Sequence, residues 1–501
     1  MKFIFFFLAF LCCNNVCAQT PNDQKKHIRQ TIDYSRRIFK KPIYFKQYHF
    51  DSLVDFSWSD FHEKTNFSGS QFDSLADFSW SDFHEKANFS ESQFDSLAVF
   101  RGIGFHKEAN FGGTIFHKKV NFGGTIFYKE TIFFRSKFDN LSDFSNSYFH
   151  GRANFGGSKF HKKANFSWSQ FDNLANFSWS DFHEEVDFSR IDFYEEADFS
   201  WSDFHDNAGF SRSYFHKKTD FSGSQFDSLV DFSWSEFHEK ANFSGSYFKE
   251  VATFTFSTLP DTLLFGSTRS KEIIDLSLTM VGSEKTQCFI DLTNSNLEKF
   301  KFSYDRFNIF FADSTTNIAQ RQNVYETLMK MQEKYGYRSG CEKADKEYKE
   351  FKYVGKLRLD KATPWWAIYW GSFRNMLDKY WWDYGYSKEW IFLWTGGIFL
   401  FFTILNFSIG QAKLYDFYPL TFIEDHKERI IDKSTQISTK RYWGLNTYVT
   451  VIYTAYVFFG VKFEVNKMNY RMIGMTILFF FQYAVGLVCL GYLANTIIVG
   501  N

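Results

Sequence analysis

FDSLVDFSWSDFHEKTNFSGSQ runs from Phe50 to Gln71, and FDSLADFSWSDFHEKANFSESQ follows at once from Phe72 to Gln93. Each 22-residue unit carries four phenylalanines. Working outward, Phe39, Phe45, Phe50, Phe56, Phe61, Phe67, Phe72 and Phe78 step by six and five in turn. The beat holds to Phe254, takes Leu259 once and lands on Phe265. Self-similarity of this length marks a repeat architecture, and it takes precedence over local propensity.

An 11-residue half-period also suits a right-handed helical coiled coil. Composition excludes that reading, because Asn, Asp, Ser and Gly fill the repeat where a long helix needs Ala, Leu and Lys. Short apolar marks between turn formers point to a β-solenoid. Two residues before most of these Phe stands a small or β-branched residue, among them Val54, Ser59, Thr65, Ser70, Ala76, Ser81 and Ala87. Positions i−2 and i share a strand face, so this residue and the Phe are expected inside, with Asn or Asp before the Phe and Ser after it outside. Pro42 and Pro260 bracket the run with none between, as a hydrogen-bonded ladder requires.

Ala87-Asn88-Phe89-Ser90-Glu91 and Ala175-Asn176-Phe177-Ser178-Trp179 resemble the unit of the pentapeptide-repeat family. The resemblance implies a mainly β fold, a right-handed quadrilateral β-helix with four short sides and one coil per 22 residues. The chain departs from the family by one extra residue in every second side, which is placed at a corner. A fold of this kind does not name a function.

Formal charge is zero, yet residues 50–250 hold 19 Lys and Arg against 31 Asp and Glu, a net of −12, so the rest carries +12. An acidic rod is joined to a basic, aromatic C-terminal part. Lys2, the apolar Ile4 to Leu11 and Val16-Cys17-Ala18 read as a cleaved secretory signal over residues 1–18. Residues 19–38 are expected to form a short helical cap, and the β-helix to fill 39–311, irregularly after Phe265. Residues 312–390 read as a helical linker. Val324, Leu328 and Met331 share one face there, and Trp365, Trp366, Tyr369, Trp370, Tyr380, Trp381, Trp382, Tyr384, Tyr386 and Trp390 form an interfacial aromatic belt. Residues 391–501 read as a transmembrane region with spans near 391–409, 445–463 and 472–499. Gly474, Gly486 and Gly491 are available for close helix packing.

Two columns stand out on the rod. Ten of the 13 histidines directly follow a Phe, and His62, His84 and His106 are spaced to stack on successive coils. Such a column suits metal or pH sensing, but Asp73 and Tyr128 replace His at equivalent places, which favours duplicated corner chemistry. Trp58, Trp80, Trp168, Trp179, Trp201 and Trp234 each sit two residues after a Phe. They are expected to face outward in two columns half a coil apart, a candidate surface for a protein or glycan partner.

The arrangement of span, half-polar segment and span is similar to the two-helix pore module of potassium-channel-like proteins. Carried over residue by residue, Thr454, Phe459 and Gly460 occupy filter positions, while Phe458 stands where a filter glycine belongs. Potassium selectivity is not expected from this segment. No nucleophile–base pair, phosphate loop or metal signature is present, so no catalytic residue, cofactor or metal is expected. The expectation is a non-enzymatic scaffold anchored in a bacterial inner membrane with its rod extracytoplasmic. Its partners are the lipid bilayer and an unknown protein or glycan, with no nucleic acid and with homo-oligomerisation left open. The alternative is an oligomeric, non-potassium-selective channel with the rod as sensor.

Overall fold

The computed structural model describes residues 26–281, 287–313, 315–360, 362–418, 439–460 and 467–498. The signal-peptide expectation and most of the 411–443 loop lie outside these residues. Two compact units divide the chain, Met1–Ala344 and Asp345–Asn501.

The first unit is a parallel β-solenoid of about 13 turns. Four sheets of 12, 13, 12 and 13 strands make its four sides. Each strand pairs in parallel with its counterpart one coil on, so that Gln71 faces Gln93 and Phe72 faces Phe94. The Phe beat is buried from Phe50 to Phe265, with Phe56, Phe67, Phe78 and Phe89 at 0 % exposure. Rings of equivalent positions stack, as Phe67 on Phe89 at 5.1 Å and 8°. Neighbouring sides meet edge to face, as Phe78 against Phe89 at 83°. Both are the arrangements that aromatic quadrupoles prefer.

The small residues beside the rings divide by side. On two sides they are mostly Ala, Val or Thr; on the other two they are Ser or Thr, buried and hydrogen-bonded, except Ile103 and Ile191. From Ser70 to Ser246 these hydroxyls donate to the carbonyl of a Phe 25 residues earlier, as Ser136 Oγ to Phe111 O and Ser158 Oγ to Phe133 O, at 2.7 and 2.6 Å. The ladder thereby satisfies carbonyls that would otherwise be orphaned inside the rod. The Asn or Asp before a Phe accepts from the amide two residues on, as Asn88 Oδ1 from Ser90 N at 2.9 Å. This Asx turn explains the residue choice at that position.

Residues 26–38 are not a helical cap. Lys26–Ile28, Ile32–Asp33 and Ile38–Phe39 are strands of the first coil. The six-and-five beat continues backwards from Phe39 through Tyr34 to Ile28, written in other apolar letters, and both pack against the core. At the far end the coil length changes. Thr262 pairs with Phe289 and Ile274 with Phe300, 27 and 26 residues on. The last strand is Phe307–Ile309.

Helix α1 (Ile318–Lys334) closes this end, starting in a capping box between Asn317 and Gln320. Val324, Leu328 and Met331 join the solenoid core. Gln332, fully buried, accepts from Tyr304 N at 3.0 Å and donates to Phe302 O at 2.9 Å. It supplies the last coil with the hydrogen bonds that a further coil would have made.

Helix α2 (Arg338–Glu350) and a π-helical turn, Phe351–Gly355, lead into α3 (Lys356–Leu359) and then α4 (Trp365–Trp382). Helices α5 (Glu389–Ile409), α6 (Gln411–Phe417), α7 (Thr439–Phe458) and α8 (Ile473–Ile498) follow. Among the described residues, two stretches are long and apolar enough to cross a membrane, Glu389–Ile409 and Ile473–Asn495. The expected middle span, 445–463, lies partly outside the described residues. Among the described residues its apolar stretch is Thr447–Phe458, within α7.

Candidate interaction surface

The six tryptophans lie where the beat places them, on the outside, between 48 and 65 % exposed. Trp58 stacks on Trp80 at 5.6 Å, and Trp179 on Trp201 at 5.4 Å. The Arg190 guanidinium covers the Trp168 ring at 4.4 Å, and Phe256 lies 4.6 Å from the Trp234 ring. The surface is therefore an interrupted ladder of rings and cations.

Each of these tryptophans has a left-handed backbone, with φ between 58° and 60°. The position is the third residue of a turn closed by a bond such as Ser180 N to Phe177 O, at 3.2 Å. Such turns favour Gly, and Gly69, Gly102, Gly113 and Gly124 occupy the same columns. An L-residue held there costs about 1–2 kcal/mol. Ring stacking returns about 0.5–1.5 kcal/mol. Replacing Trp179 by glycine is therefore expected to leave rod stability within about 1 kcal/mol of the parent. Trp179→Ala, which keeps the strain and loses the ring, should be less stable than Trp179→Gly by about 1 kcal/mol in urea unfolding followed by circular dichroism.

The histidine columns are ladders of rings and carboxylates. His62, His84 and His106 stack at 4.9 and 4.8 Å, and Tyr128 continues the column at 4.7 Å. Asp73 belongs to the other column and accepts from His49 Nε2 at 2.8 Å. Asp139 links three coils, accepting from His117 Nδ1 and His161 Nδ1 at 2.7 Å each, with Lys137 Nζ at 3.0 Å. Burial raises the Asp139 carboxyl, but the hydrogen bonds from Lys137, His161 and His117 outweigh it and hold it below the usual carboxylate range. Asp172 and Asp227 are lowered in the same way, against burial, by Gln170 and His150 and by His205 and Gln225. Asp192 and Asp203 are raised, chiefly by burial.

A carboxyl lowered in the fold adds stability above its unfolded pKa, and that stability is lost as pH falls through the folded value. The raised pair acts in the opposite sense and offsets part of the loss. Asp139→Asn is expected to destabilise the rod at about pH 5 and to cost measurably less at about pH 3, read as urea midpoints.

Among the described residues, three groups of His and Asp bring ligand-type atoms within 4.8 Å of one another: Asp60, His62 and His84; Asp181, His183 and His205; and His27, His49 and Asp51. Reading the histidine column alone misses the carboxylates, which stand two residues from a His along the chain and reach the same corner.

In the second unit, Thr454 is fully buried inside α7. Its hydroxyl donates to Thr450 O at 2.8 Å and accepts from Asn406 Nδ2 at 3.0 Å. Asn406 Nδ2 also reaches Gln482 Oε1 at 3.1 Å, and Gln482 Nε2 donates to Thr454 O at 3.2 Å. Phe458 ends α7, Phe459 packs against Phe399, and Gly460 takes φ 66° just beyond the helix. The segment is helix and helix stop, not an extended filter. Ahead of α5, Asp383, Tyr384 and Gly385 take φ of 51°, 56° and 100° in succession. Lys346 Nζ holds Asp383 at 2.5 Å, and Tyr384 donates to Asn375 Oδ1 at 2.7 Å. Burial pushes the Tyr384 hydroxyl well above the usual tyrosine range.

A family model described as pentapeptide repeats (9 copies) matches residues 144–191. This stretch includes Ala175-Asn176-Phe177-Ser178-Trp179. No curated protein and no solved structure matches the chain.

Proposed function

We propose that this pentapeptide-repeat β-helix is a non-enzymatic, membrane-anchored scaffold. Its rod stands outside the cytoplasm and presents the tryptophan ladder to a protein or glycan. The observation that carries the reading is the conformation of those tryptophans. Six bulky rings occupy a turn position where glycine would be unstrained, and they expose apolar surface that a merely structural corner does not need.

Anchoring is supported by the inverted burial of the second unit. On α5, Phe392, Leu393, Leu400, Phe401 and Ile404 are exposed while Thr403 and Asn406 are buried. On α8, Ile473, Ile477 and Phe481 are exposed while Gln482 is buried. Apolar outside with polar inside is the pattern that a lipid solvent imposes. Helix α4 repeats it, with Trp365, Trp366, Tyr369 and Trp370 exposed and Asn375 and Asp378 buried, as an interfacial helix would be. The N-terminal signal supports an extracytoplasmic rod, and the basic 411–443 loop then falls on the cytoplasmic side.

The channel reading is the weaker one. Thr454 is engaged between three helices, and we assign its segment to helix packing. Labelling with a membrane-impermeant maleimide tests the topology. In cells with a permeabilised outer membrane, Lys118→Cys should react and Lys427→Cys should react only after lysis. The reverse pattern would overturn the proposal.

A further inference from the structure

Asp-Phe-His occurs four times in the chain, at Asp60-Phe61-His62, Asp82-Phe83-His84, Asp181-Phe182-His183 and Asp203-Phe204-His205. The four triplets form two pairs, each 22 residues apart, so each pair stacks on adjacent coils. Asp82 pairs with Asp60 on one side of the rod, and Asp203 with Asp181 on another. Two of the three His and Asp groups fall at these pairs.

The 181 group has the geometry of a cation site. His183 Nε2 lies 3.2 Å from Asp181 Oδ2, and His205 Nε2 lies 3.4 Å from Asp181 Oδ1. Ligand atoms bonded tetrahedrally to zinc at about 2.0–2.1 Å stand about 3.3–3.4 Å apart. Asp181 Oδ1 is buried and accepts no hydrogen bond. On the other edge of the ring, His205 Nδ1 donates to Asp227 Oδ2 at 2.9 Å. In the neutral ring this leaves Nε2 as a bare lone pair. Two acceptors, Nε2 and Oδ1, then face each other with nothing between them. A carboxylate behind the far nitrogen of a ligating imidazole is also the usual outer partner in metal sites, because it fixes tautomer and direction.

The 60 group has the same donor set at closer approach, with His106 where the 181 group has Asp227. His62 Nε2 is 3.1 Å from Asp60 Oδ2, His84 Nε2 is 2.8 Å from Asp60 Oδ1, and Asp60 Oδ1 is again buried without a hydrogen bond. Two sites on two sides of the rod share a donor set, a sequence triplet and an orphaned oxygen. We propose that Asp181, His183 and His205, and equally Asp60, His62 and His84, bind a divalent cation of the zinc class and clip adjacent coils together. Two imidazoles and one carboxylate suit Zn²⁺ or Co²⁺ rather than Ca²⁺ or Mg²⁺, which prefer all-oxygen shells. With three protein ligands at an exposed corner, the fourth position stays open to water or to a donor atom from a partner.

The third group is weaker. His49 Nε2 already reaches Asp73 Oδ2 at 2.8 Å, closer than its 3.5 Å approach to Asp51.

The test uses the full chain in detergent, without a histidine tag, after treatment with a chelator. Calorimetric titration with Zn²⁺ should find two sites. His205→Gln should remove one and His62→Gln the other, and the double variant should return to background. Asp227→Asn should weaken the 181 site alone by about 10–100-fold. His216→Gln, a column histidine outside both groups, should change nothing. Cobalt bound to the parent should show the intense visible absorption of a four-coordinate site. A proton shared between His205 and Asp181 would instead leave the parent and the double variant with equal zinc binding, and that result would overturn the proposal. So would a cobalt spectrum identical to that of the aqueous ion. None of the varied residues is buried in the rod, and unchanged circular dichroism verifies that the rod is intact in each.

Discussion

Phe155→Ala is expected to destabilise the solenoid by about 3–5 kcal/mol, the range for emptying a buried Phe site. Phe155 is fully buried and lies 4.8 Å from Phe133 below and 4.8 Å from Phe177 above. Phe144 and Phe166 meet it edge to face at 5.3 Å each, both at 90°. Removing the ring strips contacts from all four at once. They cannot close the gap, because the ladder fixes the spacing between coils and each neighbour is pinned by its own strand. Phe155→Leu should cost markedly less, since Leu259 already holds a place in the beat and stays buried. Phe39, only partly covered in the first coil, should tolerate alanine better than Phe155 does. Urea unfolding of the full chain followed by circular dichroism reads all three. A cost below about 1 kcal/mol for Phe155→Ala would mean that the rings fill the rod without holding it.

The interior of this rod is readable in the chain because one residue type repeats at one spacing and its partner two places earlier shares its face. Val54, Ser59, Thr65 and Ser70 are buried as that rule requires. What the rule cannot reach is any feature set by a different coil. Ser136 donates to a carbonyl 25 residues earlier, a partner visible only once the coils are stacked. The first coil escaped a phenylalanine count because Ile28 and Tyr34 keep time in other letters. The left-handed backbone under Trp58 had a signal, since glycine recurs in the same column at Gly102 and Gly124, but it was masked by the size of the residues between. The Asp-His-His groups needed two registers at once, a two-residue step along the chain and a 22-residue step between coils. In the second unit hydropathy marks the apolar stretches but not their mates. Asn406, Thr454 and Gln482 look like three unrelated polar residues until three helices bring them together.

That cluster sets up the second large effect, at Gly486. The sequence offers Gly474, Gly486 and Gly491 as equivalent small residues, yet the structure separates them sharply. A Cβ at Gly486 would stand 1.7 Å from Phe458 O, while a Cβ at Gly474 or Gly491 would meet nothing within 4 Å. The obstacle is backbone and cannot turn aside, so a valine at 486 forces α7 and α8 apart by roughly 1 Å or more. Gln482 lies one turn before Gly486 on α8, and Thr454 lies one turn before Phe458 on α7. Their hydrogen bond, Gln482 Nε2 to Thr454 O at 3.2 Å, belongs to the same contact and has no slack to absorb the shift. Overpacking costs about 1–3 kcal/mol, and a lost interhelical hydrogen bond about 0.6–1.7 kcal/mol more. Gly486→Val should therefore lower the stability of the helical unit by about 2–4 kcal/mol. Gly491→Val should leave it unchanged. Unfolding in a graded mixture of mild detergent and dodecyl sulfate, followed by tryptophan fluorescence, separates the two. If both variants lose stability equally, the close approach of α8 to the end of α7 does not hold the unit together. If Gly486→Val alone falls and Gln482→Leu added to it costs nothing further, the clash and the hydrogen bond are one interface, coupled as residues in direct contact are.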